Sequence, residues 1–169
     1  MMIGFIHGSF DPFINGHLEL VKRASRRCDK VIVGIAINPL KVLRGRRFNR
    51  EVMKEAMIKV FEREGMDNVT VIIFNDFTLR ITLNYNVNIL IRGIRNDKDR
   101  RYEEKLAKIY KKILGLETTF FYSPDNNSST KIMEKLKKGK DVRENVPPEI
   151  YEVIKKKWWK LPNQLKVNV

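Results

Sequence analysis

A stretch of eleven residues near the N-terminus combines the residue types that bind phosphate. The stretch, residues 7–17, reads HGSFDPFINGH. Gly8 has no side chain, so a phosphate can approach the backbone there, and Ser9 offers a hydroxyl. Asn15 is a suitable N-cap, which would place His17 in the first turn of a helix, where backbone N–H groups attract anions. The spacing therefore predicts a phosphate site with an imidazole donor.

Further cationic and hydroxyl residues follow later strands of the predicted fold. Arg92 and Arg95 flank Gly93 at the carboxyl end of one strand, and guanidinium groups bind phosphate oxygens in a bidentate manner. Lys41 lies beyond another strand, and residues 128–130, Ser-Ser-Thr, offer hydroxyl and N–H groups at the start of a helix. The alternative for the two arginines is a pair of surface salt bridges to nearby carboxylates. Their position favours ligand binding.

Five short apolar runs, separated by helical patterns, predict how these residues are brought together. The runs cover residues 4–7, 31–37, 69–74, 88–91 and 118–122. Strands that alternate with helices in this way predict an α/β fold, a Rossmann-like, doubly wound, parallel five-stranded sheet with helices on both faces. Ligands bind at the carboxyl ends of the strands in such sheets.

Helical spacing of apolar residues lies between the runs, over residues 18–28, 52–61, 102–114, 132–136 and 150–158. Residues 77–85 alternate strictly, which is typical of a strand, but a crossover to a parallel strand needs a helix. We therefore expect a helix there. A single domain, residues 1–160, and a C-terminal tail, residues 161–169, account for the chain.

Composition limits the classes of partner and location. The 169 residues include 34 Lys and Arg against 20 Asp and Glu, a net charge of +14, which favours polyanionic partners. No apolar run reaches the ~18 residues of a membrane span, and the N-terminus lacks the pattern of a signal peptide. Cys28, the single cysteine, suits a reducing cytoplasm and excludes an internal disulfide. We expect a cytoplasmic protein without a membrane partner.

Residues 8–17 resemble the G-[ST]-F-D-P-x-x-x-G-H signature of the nucleotidyltransferase superfamily. The order of the later pieces, over nearly the whole chain, is similar to that of the bacterial phosphopantetheine adenylyltransferases. These pieces are Lys41, the string RGIR at 92–95, Glu103 and the hydroxyl run at 128–130. The resemblance implies transfer of AMP from ATP to 4′-phosphopantetheine, which gives dephospho-coenzyme A and pyrophosphate.

The resemblance also implies roles for single residues. Catalytic roles fall to His17, Lys41, Arg92 and Ser9. Contacts to ATP fall to Gly8, Ser9, Phe10, His17, Gly93, Ile94, Arg95, Glu103, Asn127, Ser128, Ser129 and Thr130. Contacts to phosphopantetheine fall to Ser9, Lys41, Thr78 and Arg92. No protein ligands to a metal are expected, so Mg²⁺ arrives with ATP, and a homohexamer is implied.

Two alternatives stay open at this point. One is an adenylyl- or cytidylyltransferase for another phosphorylated acceptor, such as nicotinamide mononucleotide, although Lys41 and the string from Arg92 to Glu103 argue against it. The other is a non-catalytic basic protein that binds nucleic acid. No recognised nucleic-acid motif supports the second alternative.

Overall fold

A computed structural model describes residues 1–36, 48–74, 78–123 and 127–158. Five strands form one parallel sheet: β1 (Ile3–Gly8), β2 (Lys30–Ala36), β3 (Val69–Phe74), β4 (Ile89–Ile94) and β5 (Glu117–Tyr122). Their order across the sheet is β3-β2-β1-β4-β5. The predicted doubly wound parallel sheet is confirmed.

Within the described residues, six helices connect or flank the strands: α1 (Asn15–Ser25), α2 (Arg50–Arg63), α3 (Thr78–Asn84), α4 (Asp97–Leu114), α5 (Ser129–Lys137) and α6 (Pro148–Trp158). A short 3-10 helix, Arg143–Asn145, precedes α6. The helix expected on topological grounds over residues 77–85 is confirmed as α3. The crossover requirement outweighed the alternating pattern there, because β3 and β4 are both parallel members of the sheet.

Two details of the prediction are wrong. The N-cap of α1 is Ile14 rather than Asn15, which is the first helical residue; its side-chain amide donates to the Glu144 carbonyl at 2.9 Å. The fourth strand also continues past residue 91, so Arg92 and Gly93 lie within β4. Pairing of Arg92 and Gly93 with Phe120 and Phe121 of β5 extends the strand, and such pairing has no signal in a local apolar pattern.

The core lies on both faces of the sheet. The larger cluster joins α1, α2, α5 and α6 to one face and includes Phe13, Met57, Met133 and Ile150, all fully buried. The smaller cluster lies under α3 and α4 on the other face and is centred on Phe5. Cys28 is buried and unpaired. Among the helices of the described residues, none is both long and apolar enough to cross a bilayer.

The strand order reverses at β1, because the chain first winds outward through β2 and β3 and then returns to pair β4 with β1. Loops leaving the carboxyl ends of β1 and β4 therefore diverge to opposite faces of the sheet. This divergence opens a crevice, which is where open α/β sheets bind ligands. The fold thus places the residue 7–17 loop beside the string at 92–95.

Candidate active site

A cavity of about 300 Å³ occupies the crevice between β1 and β4. It is bordered by the loop after β1, the first two turns of α1, the end of β4, and the start of α5. The predicted site residues that line it are Gly8, Ser9, Phe10, His17, Arg92, Gly93, Arg95, Glu103, Asn127, Ser128, Ser129 and Thr130. Residues far apart in the sequence therefore converge on one cavity.

His17 lies in the first turn of α1, as predicted. Its Nδ1 accepts a hydrogen bond from the Ile14 N–H at 3.2 Å, so the side chain caps its own helix. Because Nδ1 is the acceptor, the proton of the neutral imidazole is on Nε2. His17 can therefore donate from Nε2 while the N-terminus of α1 adds its partial positive charge.

The loop before His17 is held in an unusual backbone conformation. Phe10 has a φ of 42°, in the left-handed region, which L side chains enter at a cost of about 1–2 kcal/mol. Its buried ring offsets this cost by packing 5.6 Å from the Phe13 ring and 5.0 Å from the His17 imidazole. A Cβ at Gly8 would lie 3.2 Å from the Phe10 ring, so the glycine leaves room for this packing.

Arg92 and Glu103 form a buried ion pair on the cavity wall. Arg92 Nε lies 2.7 Å from Glu103 Oε2, and its Nη2 lies 2.8 Å from Oε1. A third N–H donates to the His7 carbonyl at 2.9 Å. Burial lowers the pKa of Arg92, but the Glu103 hydrogen bond and charge outweigh it and raise the pKa above its ordinary value. The guanidinium is therefore a fixed cation, and two of its five N–H donors remain for a ligand.

Arg95 and the start of α5 close one end of the cavity, called the phosphate end below because its groups stabilise anions. Arg95 Nε donates to Asp99 Oδ2 at 2.7 Å, and Asn127 is beside it. Ser128 caps α5 by accepting from the Lys131 N–H at 3.2 Å. Ser129 donates to the Pro12 carbonyl at 2.8 Å, which ties α5 to the loop after β1. Arg92 and Arg95 thus form the salt bridges of the alternative interpretation and also line the cavity, and ligand binding by them stays a prediction.

Of the three other predicted site residues, one lies away from the cavity and two fall outside what the structure describes. Ile94 is buried and its carbonyl accepts from the Ser123 N–H at 2.8 Å, but it does not line the cavity. Thr78 is the first residue of α3, and its side chain lies outside the described part of the chain. Lys41 also lies outside the described residues.

The sequence reasoning missed the second turn of α1. Glu19, Leu20 and Arg23 line the cavity beyond His17, together with Phe121 of β5. Leu20 and Arg23 follow Gly16 at helical spacings of four and seven, so they share its face. This periodicity was the available signal, but the apolar core face of the helix obscured it.

The set of side chains defines the chemistry that the cavity supports. Its phosphate end carries an imidazole, two guanidinium groups, hydroxyls and two helix N-termini, all of which stabilise anions. Among the described residues, no cluster of three or more His, Cys, Asp or Glu could hold a metal ion. The arrangement can position a polyphosphate and neutralise charge that develops on it.

Comparison with known proteins agrees with this geometry. The cytidylyltransferase-like family model matches residues 5–135. A Clostridium tetani phosphopantetheine adenylyltransferase is 37% identical over 163 residues, covering 93% of this chain and 98% of its own. A Streptococcus suis phosphopantetheine adenylyltransferase is 35% identical and covers 91% of this chain and 95% of its own. The Leptospira biflexa enzyme of the same name is 33% identical and covers 89% of this chain and 94% of its own.

A solved structure supports the fold. The crystal structure of a provisionally named nicotinate-nucleotide adenylyltransferase from Vibrio parahaemolyticus matches with a TM-score of 0.69. The match covers 99% of this chain and 98% of that one, at 16% sequence identity. The two proteins therefore share an architecture.

Proposed function

The chain belongs to the cytidylyltransferase-like family and, within it, to the phosphopantetheine adenylyltransferases, and from this premise we propose that it transfers AMP from ATP to 4′-phosphopantetheine. The products are dephospho-coenzyme A and pyrophosphate, so the enzyme acts in coenzyme A biosynthesis. One observation carries the proposal: His17, Ser9, Arg95 and the start of α5 meet in a single cavity beside the Arg92–Glu103 pair.

The reaction is a direct displacement. An oxygen of the 4′-phosphate attacks the α-phosphorus of ATP and forms a new P–O bond. The bond from the α-phosphorus to the bridging oxygen breaks, and pyrophosphate leaves with that electron pair. The attacking oxygen is already anionic, so the step needs no nucleophile from the protein. Catalysis consists of positioning two polyanions and stabilising the charge between them.

His17 and Ser9 lie where this charge develops. His17 donates from Nε2 toward the phosphate that is attacked, because Nδ1 is committed to its own helix. Ser9 follows the end of β1 on the same wall and contacts both substrates. Preorganised donors of this kind are worth most in a site that excludes water.

The remaining roles divide between the two substrates. Gly93, Arg95, Glu103 and residues 127–130 face ATP, with Arg95 and the N-terminus of α5 on its phosphates. Arg92 faces the acceptor phosphate with its remaining N–H donors. Lys41 and Thr78 are proposed for the acceptor from the family resemblance.

Mg²⁺ is proposed to arrive on the ATP phosphates. His17, Arg95 and Thr130 offer donors and positive charge at the phosphate end, a set that fits the phosphates of a metal–nucleotide rather than a bare ion. Bound there, the ion supplies neutralisation of phosphate charge. Arg95, His17 and the helix N-termini orient the oxygens that carry it.

Assembly into a homohexamer and a cytoplasmic location complete the proposal. An apolar stripe on α4, made of Tyr102, Leu106, Ile109 and Ile113, supports self-association, because three of its members are exposed large apolar residues. The single buried cysteine, Cys28, suits a reducing compartment.

The experiment that tests the function is a pyrophosphate-release assay with Mg²⁺. It crosses ATP and CTP with phosphopantetheine, nicotinamide mononucleotide and glycerol 3-phosphate. We expect release with ATP and phosphopantetheine together. Release with another pair would assign a different nucleotide or acceptor to the enzyme. No release with any pair would contradict the enzymatic assignment.

The same assay tests His17. His17→Ala should lower kcat by roughly two to three orders of magnitude, the effect of losing one key donor. Asn15→Ala is the matched control, because Asn15 lies in the same helical turn and bonds to Glu144 but does not line the cavity. A His17→Ala enzyme with the turnover of Asn15→Ala would remove His17 from the mechanism.

A further inference from the structure

The cavity extends along α1 beyond the phosphate-binding groups to a second pair of charged side chains. Glu19 and Arg23 both line it there, two and six residues after His17. Six residues of helix advance about 9 Å, a distance that suits a nucleoside whose phosphates are at His17. This end of the cavity is thus positioned to meet the base of a bound nucleotide.

Arg23 is held in place before any ligand binds. Its Nη1 donates to the Tyr122 carbonyl at 2.8 Å, and its guanidinium carbon lies 4.5 Å from the centre of the Phe121 ring. A guanidinium has five N–H donors, and the bond to Tyr122 uses one of them. The planar group is therefore preorganised, with donors left to offer to the cavity.

Glu19 is not paired with Arg23, although their i,i+4 spacing on a helix favours such a pair. Among the ion pairs of the described residues, none involves either side chain, since Arg23 turns to β5 instead. The Glu19 carboxylate is exposed at the rim of the cavity. A donor and an acceptor thus face the same end of the cavity independently.

Apolar groups lie between the two ends of the cavity. Leu20 of α1 and Phe121 of β5 line it, and Gly93 of β4 faces Leu20, since a Cβ on Gly93 would lie 3.5 Å from Leu20 Cδ2. Apolar walls suit the faces of a base, whose polar edge would then meet Glu19 and Arg23.

We propose that Arg23 and Glu19 select the base of the nucleotide: Arg23 donates to a ring nitrogen, and Glu19 accepts from the adjacent exocyclic amino group. Adenine presents this pair as N7 beside the N6 amino group, whereas guanine has the O6 acceptor beside N7. Guanine would therefore place its oxygen against the Glu19 carboxylate. The inference rests on the proposed function for the placement of the phosphates.

Equilibrium binding of Mg–ATP and Mg–GTP, without acceptor, tests the pair. The wild-type chain should prefer ATP. In Glu19→Gln the amide can donate to O6, so the ratio of GTP to ATP dissociation constants should fall about tenfold. Arg23→Met should weaken ATP and GTP binding alike, about tenfold, because both purines offer N7 to Arg23, so the ratio should stay as in the wild-type chain.

Arg27→Met is the matched control for Arg23. The Arg27 guanidinium lies 5.0 Å from the centre of the same Phe121 ring, but Arg27 does not line the cavity. Loss of either arginine removes a cation–π contact, so the two variants should lose similar thermal stability. Arg27→Met should keep the wild-type affinity for ATP, whereas Arg23→Met should lose it.

The outcomes separate this inference from the proposed function. A ratio unchanged in Glu19→Gln, or a wild-type chain that binds GTP as tightly as ATP, overturns the base-selection role even if phosphopantetheine is adenylylated. An equal loss of ATP affinity in Arg27→Met and Arg23→Met also overturns it. Preference for ATP that depends on Glu19, together with ATP affinity that depends on Arg23 but not on Arg27, would uphold the role; if phosphopantetheine then gave no pyrophosphate release, the proposed acceptor would be contradicted.

Discussion

His7 lines the cavity and is partly buried, but its imidazole has no part in the proposed chemistry. Its ring lies 5.4 Å from the ring of Phe5, 6.4 Å from that of Phe74 and 6.3 Å from that of Tyr110. Among the described residues, Nε2 has no hydrogen-bond partner and is shielded from solvent. Burial, and secondarily the charge of Arg92, lower the pKa of His7 to about 3. The imidazole is thus neutral at physiological pH.

A neutral His7 makes the fold sensitive to mild acid. In the unfolded chain the pKa of histidine is about 6.5. Below that pH the unfolded state therefore binds a proton at His7 that the folded state does not bind. The free energy of unfolding should therefore fall as pH drops from 6.5 toward 3, by up to about 1.4 kcal/mol per pH unit. Urea unfolding at pH 7, 6 and 5 measures this slope.

His7→Phe is the control for that slope. Phenylalanine keeps the aromatic packing, removes the titrating group and removes the unpartnered Nε2. Carboxylates hardly titrate between pH 6.5 and 5, and His17 is present in both proteins. The variant should therefore show a flatter dependence on pH. Equal slopes in the two proteins would mean that His7 is protonated in the folded state.

At the scale of elements, two glycines within strands have different surroundings. Gly34 of β2 lies in the core, where a Cβ would come 2.6 Å from Phe74 Cε1 and 2.7 Å from Phe5 Cε2. Gly93 of β4 lies on the cavity wall, where a Cβ would meet Leu20 at an ordinary contact distance of 3.5 Å. Gly34 is required by close core packing, whereas Gly93 borders the cavity at a point where a Cβ would meet no close contact.

Alanine at each position should separate these roles. Gly34→Ala should lower the free energy of unfolding by about 1–3 kcal/mol, because the two rings around it are buried and closely packed. Gly93→Ala should leave stability unchanged, because a Cβ fits beside Leu20, but weaken ATP binding about tenfold, because the added methyl group stands on the cavity wall at the proposed nucleotide site. Thermal melting and ATP titration of both variants check this. Normal ATP affinity in Gly93→Ala would contradict the placement of the nucleotide.

At the scale of the whole molecule, α4 presents the apolar stripe defined above. Tyr102, Ile109 and Ile113 are 62%, 49% and 65% exposed, at spacings of seven and four residues along one helix. Contiguous apolar patches of this kind mark interaction surfaces in globular proteins. A second copy of the chain is the occupant that the proposed homohexamer requires.

The stripe predicts which substitutions disrupt assembly. Ile113→Lys should convert the assembly to smaller species, since it places a charge within an apolar contact. Leu83→Lys is the matched control, because Leu83 is 68% exposed on α3, outside the stripe. Sedimentation velocity measures both. A wild-type monomer, or assembly that survives Ile113→Lys, would contradict an interface on α4.

The sequence by itself determined the parts of this protein that depend on local spacing. Apolar runs and helical periods located five strands and the helices between them, and the requirement for a crossover identified α3 despite its alternating pattern. The motif at 8–17 placed His17 in the first turn of α1 and identified the family. These features are encoded within short segments, so one sequence suffices to read them.

The tertiary structure decided what depends on contacts between distant segments. It extended β4 through pairing with β5, so Arg92 lies within the strand and binds Glu103 eleven residues later. It placed Glu144 where Asn15 bonds to it, leaving Ile14 as the N-cap. It also brought Phe121 of β5 to Arg23 of α1, creating the far end of the cavity. Strand register and packing set these contacts, and no periodicity within a single segment specifies them.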